Sequence, residues 1–169
     1  TENYYSIATP ASAENFIISE IHYHPADAES DQELAISTNK DDYEFLEFLN
    51  TSDGDIDLSK CLFDRGLTFT FAQGSTIPAG GRGVIVSNRA AFLARYGSTA
   101  DPFILGEFEA GSNLSNSGET LALRNPEGGF IFSFSYNDKS PWPTGPDGEG
   151  PSLVLTGPSI PIDKLGEAT

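Results

Sequence analysis

A chain of 169 residues, 38% of them hydrophobic and 11% aromatic, is long enough for one globular domain that buries its own core without disulfide support. Twenty-five acidic residues against nine basic ones leave a formal net charge of −16, which repels phosphate backbones and anionic membranes and argues against direct nucleic-acid contact. The same field suits cationic partners or divalent metals, or simply keeps the protein soluble; no apolar run is long enough to cross a membrane, and Cys61, standing alone, excludes an intrachain disulfide.

Residues 1–14 are polar and read as a linker or N-terminal arm. Residues 15–24 form the first strand. Strict alternation places Phe16, Ile18, Glu20, His22 and His24 on one face, and Ile17, Ser19, Ile21 and Tyr23 on the other. Pro25 ends it, and residues 26–42, with Asp27, Glu29, Asp31, Glu33, Asp41 and Asp42, read as a long exposed acidic excursion.

Residues 43–50 form the second strand, and Asp53-Gly54 turns the chain. A third strand is expected over 56–64, another over 67–71, a turn at 77–81 and a buried strand over 83–87. Asn88 and Gly97 bracket the one short helix expected, over 89–96, as N-cap and C′ residue.

Strands follow over 103–108, 119–124 and 130–136, the last presenting Phe130, Phe132, Phe134 and Tyr136 on one face, and a final strand over 152–156. Between the last two runs Pro141-Trp142-Pro143, holding the only tryptophan, leads into a turn-rich crossing. Short strands at near-regular spacing, separated by Gly and Pro turns, predict an all-β antiparallel sandwich with a Phe-rich interior.

Candidate chemistry is sparse. His22 and His24 sit at i, i+2 on a strand, a spacing compatible with a metal, but they are the only histidines and no third ligand accompanies them in a motif. Glu20, Glu44, Glu47 and Asp138 form a carboxylate set. One of the second-strand glutamates must face inward, where it either helps bind Ca²⁺ or accepts hydrogen bonds from the protein. Asp53-Gly54-Asp55-Ile56-Asp57 starts like a calcium loop, yet Leu58 stands where that loop needs glycine, so a surface turn is the better account. Trp142 is a candidate sugar-stacking residue or a plug over the sandwich end. Cys61, in an apolar run, reads as a buried structural thiol. No Gly-x-Ser-x-Gly elbow or triad accompanies Ser115, Ser117 or Ser135, so no catalytic residue is assigned.

Ile17-Ile18-Ser19-Glu20-Ile21, Glu44-Phe45-Leu46-Glu47-Phe48, Asp57-Leu58-Ser59, Ile77-Pro78-Ala79-Gly80-Gly81, Ser115-Asn116-Ser117-Gly118-Glu119 and Tyr136-Asn137-Asp138 occur in that order. The ordered set resembles the lamin tail domain family. The resemblance implies an immunoglobulin-like β-sandwich over residues 15–157, with 158–169 a C-terminal tail. It also implies a non-catalytic tethering or interaction module which, in bacteria, belongs to larger secreted or cell-surface proteins.

Two features depart from the family: Lys60-Cys61 replaces the usual Gly-Trp after Asp-Leu-Ser, and the 26–42 insertion is longer. With no methionine, the chain reads as a processed protein or as part of a larger multidomain one. The expected role is binding a protein or glycan through loops and edge strands outside the cell; the alternative is a calcium-stabilised carbohydrate-binding module.

Overall fold

The computed structural model describes residues 7–154. The expected C-terminal tail, and residues 155–156 of the expected last strand, lie outside the described residues.

Among the described residues twelve strands form three sheets. A five-stranded sheet has the order β12(Leu153–Val154), β2(Phe16–His22), β3(Phe45–Asn50), β8(Arg82–Val86), β9(Ile104–Glu107). A four-stranded sheet faces it, in the order β11(Phe130–Tyr136), β10(Glu119–Arg124), β5(Leu62–Arg65), β6(Phe69–Thr70). A small sheet of β1(Thr9–Pro10), β4(Ile56–Asp57) and β7(Thr76–Ile77) completes the set. This is the immunoglobulin-like sandwich. Most pairings are antiparallel, but β1 with β4 and β8 with β9 are parallel. Residues 9–11 of the expected arm thus join the fold: Thr9 and Ala11 donate their N–H groups to Asp55 and Asp57, and Ala11 is buried.

The two large sheets close over a phenylalanine cluster. Phe16 stacks on Phe48 at 5.0 Å, Phe63 meets Phe132 edge-on at 5.9 Å, and Phe69 meets Phe71 edge-on at 4.9 Å. Each such pair adds about 0.5–1.5 kcal/mol beyond simple area burial.

Four expectations need correction. Strict alternation fails in β2, where a bulge between Ile18 and Glu20 puts an extra residue opposite β3. Phe16, Ile18, Ile21 and Tyr23 therefore share the core, while Glu20 and His22 turn to the outer face. The single strand expected over 56–64 breaks into β4 and β5, which belong to different sheets. The break is a turn in which Asp57 accepts bonds from the Ser59 N–H and hydroxyl, and Lys60 takes a left-handed φ of 61°. In β11 a second irregularity sets Phe130 against Arg124 and Phe132 against Leu123. Ile131 is then buried, and Phe130 is exposed beneath the Arg124 guanidinium instead of joining the Phe face.

The fourth correction concerns helices. Helix α2(Arg89–Tyr96) forms as expected, with Asn88 Oδ1 accepting the Ala91 N–H and Gly97 at φ 87°. The acidic excursion, however, also folds into α1(Asp31–Ile36) and a 3-10 turn, Lys40–Tyr43. Together they form a partial third layer. Phe92 of α2, with Phe45, Val84 and Val86 from the outer face of the five-stranded sheet, makes a second small core.

Candidate functional site

One end of the sandwich gathers the C-terminal end of β2, the start of β3, the insertion, α2 and the crossing segment that follows β11. Its organising side chain is Arg95, in the last turn of α2. The Nε–H donates to Glu33 Oε1, and Nη2 donates to the carbonyls of Ala26 and Asp27 at 3.1 and 3.3 Å. The guanidinium lies 3.9 Å from the centre of the Tyr43 ring, a cation–π contact. The Tyr43 hydroxyl donates onward to the carbonyls of Glu33 and Ser37. Glu33 also closes a capping box, taking the Ser30 N–H while Ser30 Oγ takes the Glu33 N–H. These donors, the Ser30 N–H first and Arg95 next, hold the Glu33 carboxyl down at about 2.

The same end holds both histidines. His22 is buried, its Nδ1 3.2 Å from the Tyr96 hydroxyl and its ring edge-on to Phe45 at 5.1 Å. Burial, reinforced by Arg95, pushes it down to about 4, so it is neutral at pH 7. His24 bridges two segments: Nδ1 is 2.6 Å from Asp147 Oδ1 in the crossing, and Nε2 is 2.5 Å from Lys40 Nζ in the insertion. The Gly148 N–H also bonds the His24 carbonyl. The insertion, β2 and the crossing are thus tied at one point. Neither histidine's hydrogen bonds reach a serine, threonine or cysteine side chain among the described residues.

The expected calcium set does not assemble. Glu20 and Glu47 face each other across β2 and β3, a like-charge pair. Each carboxylate is occupied: Glu20 by the Ser152 hydroxyl, Glu47 by the Ser19 hydroxyl and Arg82. Glu44 lies on the inner side of the chain, fully buried, with Oε2 accepting the Leu114 N–H at 2.7 Å and Oε1 unpartnered. Burial, helped by Asp41, Glu119 and Asp42, pushes it up to about 8. Asp138 sits at the start of the crossing, with Oδ1 buried and unpartnered. Among the described residues no group of three or more His, Cys, Asp or Glu is placed to hold a metal ion, so the two histidines gain no third ligand either. No helix of the described residues is long and apolar enough to cross a membrane.

Trp142 is half-buried and packs against the main core, closing the sandwich beside the crossing. Cys61 is buried among core aromatics, and burial pushes its thiol up to about 11, which makes it inert. At the opposite end a shallow open depression lies between the turns after β3 and β7. Its buried amide, Asn50, donates to the carbonyls of Gly54, Ile77 and Pro78, so it holds turns together.

The order and pairing of these elements bear on family. A family model described as Lamin Tail Domain matches residues 9–138, most of the chain. The chain belongs to the lamin tail domain family. This family is one of immunoglobulin-like interaction modules without catalytic activity. No curated protein matches the chain.

The lamin tail match begins at Thr9, the first residue of β1, and ends at Asp138, so it covers the sandwich through β11. Within this lamin tail domain the insertion is legible in the sequence, but its folding into α1 and a 3-10 turn, and the lock that holds it, are not. One local signal was present: Ser30-Asp31-Gln32-Glu33 has the capping-box spacing that opens a helix. Nothing local marks Arg95 or Asp147 as partners, because Arg95 acts on Glu33, 62 residues away, and Asp147 on His24, 123 residues away.

Proposed function

We propose that this lamin tail domain is a non-catalytic docking module of a larger secreted or cell-surface protein, and that it engages a cationic protein through the acidic face of residues 26–42. The observation that carries the reading is the Arg95–Glu33 lock. It turns a charged excursion into an ordered platform, with α1 capped at one end and Tyr43 bonded beneath it. Asp27, Glu29 and Asp31 project to solvent from it, beside exposed Leu34 and Ile36. A rigid charged face around apolar side chains recruits a partner of opposite charge at lower ordering cost than a floppy loop.

A lysine-rich probe peptide and two triple variants of equal net charge test this. Asp27→Asn/Glu29→Gln/Asp31→Asn weakens probe binding by about tenfold or more, whereas Asp53→Asn/Glu109→Gln/Glu127→Gln leaves it nearly unchanged. Equal losses in both would reduce the effect to the overall field of a −16 chain and end the proposal. A glycan partner is a separate outcome: polysaccharide would shift the fluorescence of Trp142, and Trp142→Ala would lose retention. The half-buried setting of Trp142 speaks for the protein partner.

A further inference from the structure

Sheets that end in a free strand usually guard it with charge, proline or shortness. Here most end strands are short: β1, β6 and β7 have two residues each, and β9 has four, ending in Glu107. Strand β11 is the exception, with seven residues, FIFSFSY, and no charge or proline. Among the described residues it pairs with β10 on one side only. Among the described residues no backbone hydrogen bond reaches its other side. The crossing leaves it at once and bonds instead to itself and to His24.

Beyond the irregularity at Ile131, the ladder with β10 is regular from Phe132 to Tyr136. That stretch is self-complementary: aromatics at 132, 134 and 136 face the core, and Ser133 and Ser135 face solvent. We infer that the free edge of β11 pairs antiparallel with β11 of a second copy of this chain, about a two-fold axis at Phe134. In that register Phe132 opposes Tyr136 of the second copy, Phe134 opposes its counterpart, and Ser133 opposes Ser135. Every pair is like with like, as an isologous contact requires. The two four-stranded sheets become one continuous sheet.

The charge of the chain selects the same place. Two copies at −16 each repel, so they can approach closely only where the facing strands are neutral. The contact is then favoured by salt, which screens the rest of the surface. A five-residue ladder buries less than the roughly 1,600 Å² of a standard interface, so the dimer is weak and concentration-dependent. This inference is independent of the acidic docking face.

Sedimentation velocity on the full chain tests it, with a concentration series at about 0.05 M and about 0.5 M salt. The wild type shifts from monomer towards dimer with concentration, and more so at high salt. Two variants fix the register. Ser133→Lys/Ser135→Lys sets lysine opposite lysine at both positions and abolishes the dimer. Ser133→Lys/Ser135→Glu sets lysine opposite glutamate and dimerises at least as well as the wild type. Both variants lose the Thr120–Ser135 hydroxyl contact, and both side chains are exposed, so their melting temperatures check that folding is equally intact. A wild type that stays monomeric throughout, or two variants that behave alike, overturns the inference. Binding of the lysine-rich probe to the Lys/Lys variant keeps the two proposals separable.

Discussion

Arg95 and Glu33 are 62 residues apart in the chain, yet they form the ion pair that fastens α1 to α2. Their side chains are only 15% and 10% exposed, so water replaces a lost partner poorly. Arg95→Ala is expected to destabilise the domain by about 2 kcal/mol, because Glu33 Oε1 and the carbonyls of Ala26 and Asp27 lose their donor, while Glu33 Oε2 keeps those of Ser30. Amide exchange in residues 26–43 should rise far more than in β10 or β11. Arg95→Met combined with Glu33→Met removes both charges and should recover much of the loss in thermal melts. If exchange rises evenly throughout the domain, the pair does not hold the insertion.

Glu44 sets the alkaline side of the stability profile. Its folded value is pushed up to about 8 from an ordinary 4.5, so between those limits the folded state holds a proton that the unfolded state has lost. Stability therefore falls as pH rises from about 4.5 through about 8. Glu44→Gln keeps an oxygen for the Leu114 N–H and carries no charge to desolvate. It should stabilise the domain at pH 8 and above by about 3 kcal/mol and flatten this slope, while leaving stability at pH 4 nearly unchanged. Denaturant titrations across pH measure both; an unchanged slope would refute the assignment.

His22 acts on the acid side with the opposite sign. Burial depresses it to about 4, so as pH falls from 6.5 towards 4 the unfolded chain takes up a proton that the folded chain refuses. Stability is lost across that window. Glu33, held near 2, adds a second loss as pH falls from 4.5 towards 2, because its folded form stays ionised after the unfolded one is neutral. His22→Phe, set beside Phe45, should remove the first loss and keep the second. Glu33→Gln should do the reverse, apart from a uniform loss from the broken lock. Urea midpoints between pH 2 and pH 7 separate the two windows.

The reach of the sequence follows the range of each interaction. Helix α2 was legible because Asn88, Gly97 and the Phe92-Leu93-Tyr96 spacing lie within ten residues of one another. Strand β10 was legible for the same reason. The face of Glu20 and His22 was readable, but Phe16 and Ile18 were grouped with it wrongly, since alternation cannot register a bulge whose cause is the pairing with β3. The docked insertion depended on Arg95, and the carboxylate set on how far Glu44, Glu47 and Asp138 stand apart in three dimensions. Spacing along a strand shows that Glu44 and Glu47 point oppositely, but not that Leu114 reaches back to Glu44. The turn at Lys60 was hidden for a chemical reason: lysine is not a residue that announces a left-handed conformation.

That turn supports a last prediction. Lys60 is the one non-glycine residue with positive φ among the described residues, at 61°. Its side chain is exposed, and its N–H bonds the Phe71 carbonyl, so the backbone geometry is held by neighbours and not by the lysine. The left-handed region costs an L-residue about 1–2 kcal/mol, partly offset by the greater freedom glycine has when unfolded. Lys60→Gly should therefore raise stability by about 0.5–1 kcal/mol, and Lys60→Val, β-branched at the same φ, should lower it. The paired Cys61 is a separate matter: it is 2% exposed in the aromatic core, and enlarging it to tryptophan without compensating changes should overpack the site. Chemical denaturation of the wild type and the two position-60 variants gives the order Gly above wild type above Val if the strain resides in the backbone at position 60. A Gly variant no more stable than the wild type would show that the turn tolerates lysine without strain.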